Sequence, residues 1–184
     1  MRVVSGFHKG RHIHAPASLP VRPTTDFAKE SLFNILNNHF DFENLKVLDL
    51  FSGTGNISYE FASRGCKDIT SVDSNFKCTE FIRKTATIIG PESIRVVKSN
   101  AFAFLNFTAK QYDIIFADPP YEMDNTDLLP VKIFEKKLLR EDGWLIIEHS
   151  RNYNFENHPK LLQHRMYGKV NFSIFKNIAI DETH

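Results

Sequence analysis

The chain has 184 residues, 42% of them hydrophobic and 24% charged, which suits one compact domain with its own core and leaves little room for a second. No apolar run is long enough to cross a membrane and no basic-then-apolar leader opens the chain, so a cytoplasmic protein is expected. The net charge of +1 gives no global attraction to nucleic acid, and Cys66 and Cys78 have neither the count nor the spacing of a disulfide framework or zinc site, so both read as reduced packing residues.

The charge is unevenly spread. Residues 1 to 25 carry Arg2, Lys9, Arg11 and Arg22 and no acid, with His8, His12 and His14 among them. Residues 2 to 5 and 11 to 15 predict two short strands around Gly6 and Gly10, a small β-hairpin. Residues 1 to 24 are therefore expected to form an arm whose long cationic side chains contact nucleic-acid phosphates, against the plainer alternative of a solvated ribbon. A helix is expected from Thr25 or Asp26, either of which suits an N-cap, with its apolar face through Phe27, Leu32, Ile35, Leu36 and Phe40. Arg22, Thr24 and Thr25 stand just ahead of it. They are expected to combine a phosphate clamp with capping, the guanidinium giving two parallel hydrogen bonds and the helix start its amides.

From residue 25 to 184 the pattern is that of one domain. Strands are expected at 46–50, 69–73, 94–98, 112–117 and 144–149, with helices near 56–64, 75–89, 100–108 and 127–139. Strands alternating with helices of this length make a mostly parallel sheet covered on both faces. Residues 161–167 and 170–179 then read as two strands with Gly168 between them, too close for a crossover helix, so they must be antiparallel. The expectation is an α/β, Rossmann-like sheet of seven strands with one strand reversed near the C-terminus, the arrangement of methyltransferases rather than dinucleotide dehydrogenases.

The cofactor signal is VLDLFSGTGN, residues 47 to 56, an apolar strand that runs into two glycines and then a helix. Gly53 and Gly55 let a ligand approach the main chain, and the helix start offers N–H groups and a positive field to a carboxylate such as the one on the methionine end of S-adenosylmethionine. Asp49 is expected either to accept from the ligand's amino group or to anchor the loop. Phe51, Ser52 and Asn56 complete the loop candidates. A dinucleotide fingerprint would have glycine at position 58, which here is Ser58. Asp73, with Ser74 behind it, suits two ribose hydroxyls of either cofactor. Asn100 and Ala101 are candidates to border adenine, or an N-cap and a plain helix residue.

What separates the readings is DPPY, Asp118, Pro119, Pro120 and Tyr121, at the end of the fourth strand, where α/β sheets place their ligands. The prolines hold the backbone extended and add no N–H groups, so their carbonyls face a substrate without competing donors. Asp118 offers a carboxylate and Tyr121 an aromatic face. Together they fit a planar amine whose two N–H groups are held while its lone pair is aimed at a methyl carbon, a reaction needing no metal. Glu148 and His149, after the fifth strand, are weaker candidates for substrate contact. Three readings stand: an amine methyltransferase acting on a nucleic-acid base, a glutamine-N5 protein methyltransferase, and a catalytically silent Rossmann-like module.

With these residues in view the chain resembles the bacterial RsmD family over nearly its whole length. The resemblance rests on Gly6, Gly10 and Arg11, on Arg22, Pro23, Thr24, Thr25 and Asp26, on Glu30 to Asn34, on Asp49 to Gly55, on Asp73 and on Asp118 to Tyr121. It implies S-adenosylmethionine-dependent methylation of the N2 amine of a guanine in small-subunit ribosomal RNA, presented in a partly or fully assembled subunit, by a monomeric enzyme without a metal. Lys29 stands where relatives carry an Arg and is expected as a point-charge phosphate contact. An adenine-N6 enzyme acting on DNA would ordinarily need a separate target-recognition domain, for which no stretch is long enough.

Overall fold

A computed structural model describes residues 1–20 and 24–178. Arg22, Pro23 and the last residue of the expected final strand lie outside the described residues.

The expected alternation is present. In chain order the elements are α1 (Asp26–Asn37), β1 (Lys46–Leu50), α2 (Asn56–Ser63), β2 (Asp68–Asp73), α3 (Phe76–Ile89), β3 (Ile94–Lys98), α4 (Ala101–Phe107), β4 (Tyr112–Ala117), α5 (Leu128–Glu135), β5 (Leu139–His149), β6 (Leu161–Tyr167) and β7 (Val170–Lys176). They form one seven-stranded sheet in the order β3-β2-β1-β4-β5-β7-β6. The first five strands pair in parallel, whereas β7 is antiparallel to both β5 and β6. Alternate side chains of the central strands divide between two cores. Val47, Ile69, Ile114, Phe116 and Ile146 join the core that takes in α1 and α2, while Leu48, Val72, Ile115, Leu145 and Ile147 join the one against α4 and α5. Among the described residues no helix is long and apolar enough to cross a membrane.

Three local expectations change. The N-terminal hairpin has a single bridge, Arg2 to His12, held by Val3 N–H to the Arg11 carbonyl and Ile13 N–H to that of Met1, in place of two full strands. The buried face of α1 runs through Ala28, Lys29, Leu32, Phe33 and Leu36, and Phe27 is left 67% exposed. Helix α5 stops at Glu135 because Lys137 takes a left-handed φ of 53°, so Leu139 already opens β5.

The N-terminal arm is stitched to α2, all eight residues of which are buried despite Ser58, Glu60 and Ser63. The Glu60 carboxylate accepts from the backbone N–H groups of Val4 (2.9 Å) and Ser5 (3.0 Å) and pairs with Lys29 (3.4 Å) and Arg64 (3.0 Å). Ser63 Oγ donates to the Ser5 carbonyl and accepts from His8 N–H. Gly6 lets the arm lie this close: a Cβ there would sit 1.8 Å from the Ser63 carbonyl oxygen. Glu60 and Ser63 thus face a second layer of chain rather than water, which satisfies groups that would otherwise be costly to bury.

Candidate active site

The loop between β1 and α2 turns through three left-handed residues, Phe51 (φ 58°), Gly53 (φ 52°) and Gly55 (φ 79°). It is tied to β2. Ser52 N–H donates to the Val72 carbonyl, Ser52 Oγ to the Asp49 carbonyl at 2.6 Å, and Gly53 N–H to Asp73 Oδ2 at 2.8 Å. The other oxygen of Asp73 accepts from Asn75 N–H at 2.8 Å, so each carboxylate oxygen keeps a lone pair for a further donor. A Cβ on Gly55 would lie 2.6 Å from Tyr59 Cζ, so this glycine is required by the packing of α2 on its own loop as well as by the turn.

Asp49 stands near the end of β1, one residue before Leu50. It is buried, and its carboxylate accepts from Ser58 Oγ at 2.5 Å, while Ser58 shares a 2.6 Å hydrogen bond with Ser71. Ser58, where a dinucleotide site would have glycine, therefore locks β1, β2 and α2 together. Burial pushes the Asp49 carboxyl up to about 7, opposed by the Ser58 hydrogen bond and helped by the Asp73 charge. Asn100 caps α4, accepting from Ala103 N–H, with Ala101 buried behind it; its carboxamide NH₂ remains available as a donor. Ser74 is exposed in the turn after Asp73.

Strand β4 ends on the same edge. Leu50 pairs with Ala117 and Ala117 with Ile147, so Asp118 and Glu148 follow side by side, one residue beyond the paired positions of β4 and β5. Asp118 is half-buried, Pro119 is buried, and Pro120 and Tyr121 are exposed. Burial, then the neighbouring Glu148 and Asp49, hold the Asp118 carboxyl well above the usual carboxylate range. Glu148 is 4% exposed and accepts from Thr24 Oγ1 at 2.8 Å; burial raises its carboxyl too, against that hydrogen bond. Three acids thus converge at the ends of β1, β4 and β5. Glu148 is the least legible of the three in the sequence. Its signal, an acid closing the apolar run WLII, gains meaning only with the β4–β5 register.

Two of the expected RNA contacts, Lys29 and Thr24, are buried. Lys29 is buried, its Nζ donating to the Arg2 carbonyl at 2.6 Å and Asn56 Oδ1 at 2.8 Å beside Glu60, and burial lowers its pKa. With its charge spent internally it does not reach the surface. Asn56 is likewise a clasp, donating to the Thr24 carbonyl, so its amide groups face the arm and Lys29. Thr24 Oγ1 donates to Glu148, and Thr25 caps α1, as expected, by accepting from Ala28 N–H. Arg2 is exposed and pairs loosely with Asp26 at 3.7 Å. Lys9 and Arg11 are exposed and form no ion pair among the described residues. The cysteines are free and buried, and burial pushes both thiols up to about 11.

Residues 1–176 match the family described as Conserved hypothetical protein 95. The chain is 36% identical to "Putative rRNA methyltransferase YlbH" of Bacillus subtilis over 183 residues, covering 96% of this chain and 98% of that one. It is 32% identical to the ribosomal RNA small subunit methyltransferase D of Escherichia coli K12 over 148 residues, 80% of this chain and 71% of that protein. Among solved structures, "Putative methyltransferase yhhF from Escherichia coli" superposes with a TM-score of 0.84 at 24% identity, covering 98% of this chain and 99% of that one. An RNA methyltransferase from Salinibacter ruber in complex with S-adenosyl-L-homocysteine shares the fold, with a TM-score of 0.67 at 14% identity over 88% of this chain and 98% of that one.

Proposed function

The chain belongs to the Conserved hypothetical protein 95 family, the RsmD family of the sequence resemblance, and from that membership we propose that it methylates the N2 amine of a guanine in small-subunit ribosomal RNA, with S-adenosylmethionine as donor. The observation that carries the proposal is the convergence of Asp118, on its DPPY segment, with the glycine loop and Asp73 on one sheet edge.

The residues fit the cofactor. The left-handed turn at Gly53 and Gly55 leads into a helix whose N-cap has no side chain, which suits a carboxylate, and Asp73 has an acceptor to spare on each oxygen for ribose hydroxyls. Asn100 and Ala101 open α4 on the adenine side. When bound, the cofactor supplies a methyl carbon already activated by a sulfonium. Everything else falls to the protein.

An exocyclic base amine is a poor nucleophile because its lone pair is delocalised into the ring, so orientation has to compensate. Asp118 accepts from one amine N–H and a proline carbonyl of DPPY from the other, which turns the lone pair out of the ring plane. Tyr121 gives the base a stacking face. The positive charge that develops on nitrogen is stabilised by Asp118, which is the group placed to take the released proton, or hands that role to water. Burial, and then the nearness of Glu148 and Asp49, raises the proton affinity of Asp118, and this favours the uptake.

In this reading the arm supplies phosphate contacts through Arg2, Lys9 and Arg11. Ribosomal RNA from cells with and without the gene, digested and assayed for N2-methylguanine, tests the assignment. One modified guanine of the small subunit should disappear with the gene. Loss of N6-methyladenine instead, or of a methylated glutamine in a protein, would transfer the assignment to one of the other amine methyltransferases.

A further inference from the structure

Beyond the acids, on the side of the sheet edge away from β1, lies a half-open cavity of about 260 Å³ between the loop at 150–156 and strands β6 and β7. That is just below the ~300 Å³ at which sites for whole small molecules begin, and it is room for one flat ring system. Its walls are aromatic and soft: His149, Tyr153, His164 and the thioether of Met166. His149 and His164 stack at 5.8 Å, and His149 is fixed between the Ser150 carbonyl and Ser173 Oγ.

The polar groups point to the ligand. Asn171 is 3% exposed, yet its side chain has one hydrogen bond among the described residues, a long 3.5 Å contact from Nδ2 to the Lys169 carbonyl. A buried carboxamide with donor and acceptor capacity to spare matches the edge of a heterocycle that presents both. At the rim the exposed guanidinium of Arg151 makes one hydrogen bond among the described residues, to the Met166 sulfur at 3.7 Å. The one acid in the wall, Glu156, leaves the cavity without net positive charge, which suits a neutral ring better than a bare phosphate.

Position ties the cavity to the catalytic edge. His149 follows Glu148, one ~5 Å strand spacing from the end of β4. The Tyr153 hydroxyl donates to the Met123 carbonyl, just past DPPY, so the cavity loop and the substrate loop are one connected wall.

We propose that this cavity is a second base subsite, which takes the unstacked base of a nucleotide flanking the target in the RNA strand, with Arg151 at its phosphate. This rests on the RNA-methyltransferase reading above. Stacking and an edge hydrogen bond in such a subsite add affinity and set register without touching the reacting atoms.

The test uses the full chain and small ribosomal subunits isolated from cells lacking the gene. His164→Ala and Arg151→Ala alter exposed residues, and Asn171→Leu removes the buried amide. Each should raise KM for the particles about tenfold or more, with kcat and S-adenosylmethionine affinity within about twofold of wild type. His164→Phe, which keeps a flat ring, should restore most of the affinity, and Arg151→Ala alone should flatten the salt dependence. Unchanged KM in folded His164→Ala and Arg151→Ala proteins would overturn the subsite while leaving the RNA-methyltransferase reading intact. A wild-type enzyme that transfers no methyl group to the particles would overturn both.

Discussion

Asp118 stands in a cluster of carboxyls, beside Glu148 and near Asp49, and all three hold their protons more tightly than free carboxyls do. Asp118→Asn keeps the shape of the side chain and removes its charge. Its effects on rate and on stability should have opposite signs. Losing a charged partner of the transition state is expected to slow methyl transfer about a hundredfold, equivalent to about 2.7 kcal/mol at about 1.36 kcal/mol per decade. The amide also turns an N–H₂ towards donors of the substrate. Stability should rise instead, by about 0.5–2 kcal/mol, because a buried like-charge contact is relieved, and for a chain of this length that is roughly 2–4 °C in Tm per kcal/mol.

The pH dependence follows from the raised carboxyls. Folded protein binds more protons than unfolded chain once pH exceeds the ordinary carboxylate value, so the wild type is fully stabilised below about pH 4 and loses stability as pH climbs through 7. The variant lacks the Asp118 share of that loss, so its advantage should be clear at pH 8 and vanish near pH 4. Thermal unfolding across that range, with single-turnover kinetics at saturating cofactor and RNA, measures both quantities. A folded variant that binds S-adenosylmethionine normally and transfers methyl at near wild-type rate would refute the role of Asp118, leaving DPPY a structural turn. A variant less stable than wild type at pH 8 would refute the crowding argument.

Lys29→Met should destabilise the protein by about 3–5 kcal/mol in chemical denaturation, because it leaves Glu60 in the interior with only Arg64 as counter-charge, while the salt dependence of RNA binding stays as in wild type. A shallower salt slope would return Lys29 to the RNA surface. Gly55→Val should abolish calorimetric binding of S-adenosylhomocysteine, since a branched side chain is strained at φ 79° and its Cβ meets Tyr59; wild-type affinity would contradict the loop assignment. Lys9→Ala and Arg11→Ala should each weaken RNA binding and reduce its salt slope by up to about one unit, with cofactor affinity nearly intact, and equal slopes in wild type and variants would make the arm a plain structural ribbon.

The sequence by itself determined the order and type of the elements. Short apolar runs, each closed by a turn signal or a helix pattern, predict β1 to β4 within one residue, because so short a run between such signals leaves few alternatives. The separation of the last two strands by Gly168 and Lys169 alone dictated their antiparallel pairing. The glycine loop, Asp73 and DPPY were legible for a related reason: each depends on chemistry confined to a few consecutive residues.

Contacts between distant residues were decided only by the tertiary structure. Lys29 reads as a surface cation in the helix pattern and is buried because the arm folds over α2 and offers it the Arg2 carbonyl, Asn56 and Glu60. Ser58 looks like a lost glycine and is a hydrogen-bonded link between Asp49 and Ser71, a pairing that exists only once β1, β2 and α2 are side by side. Glu148 lies 30 residues from Asp118 in the chain and becomes its neighbour through the β4–β5 register, while Thr24, 124 residues from Glu148, supplies its hydrogen bond. Local propensity reports a residue's own backbone preferences. The protonation of a buried carboxyl depends instead on which other groups the fold brings against it.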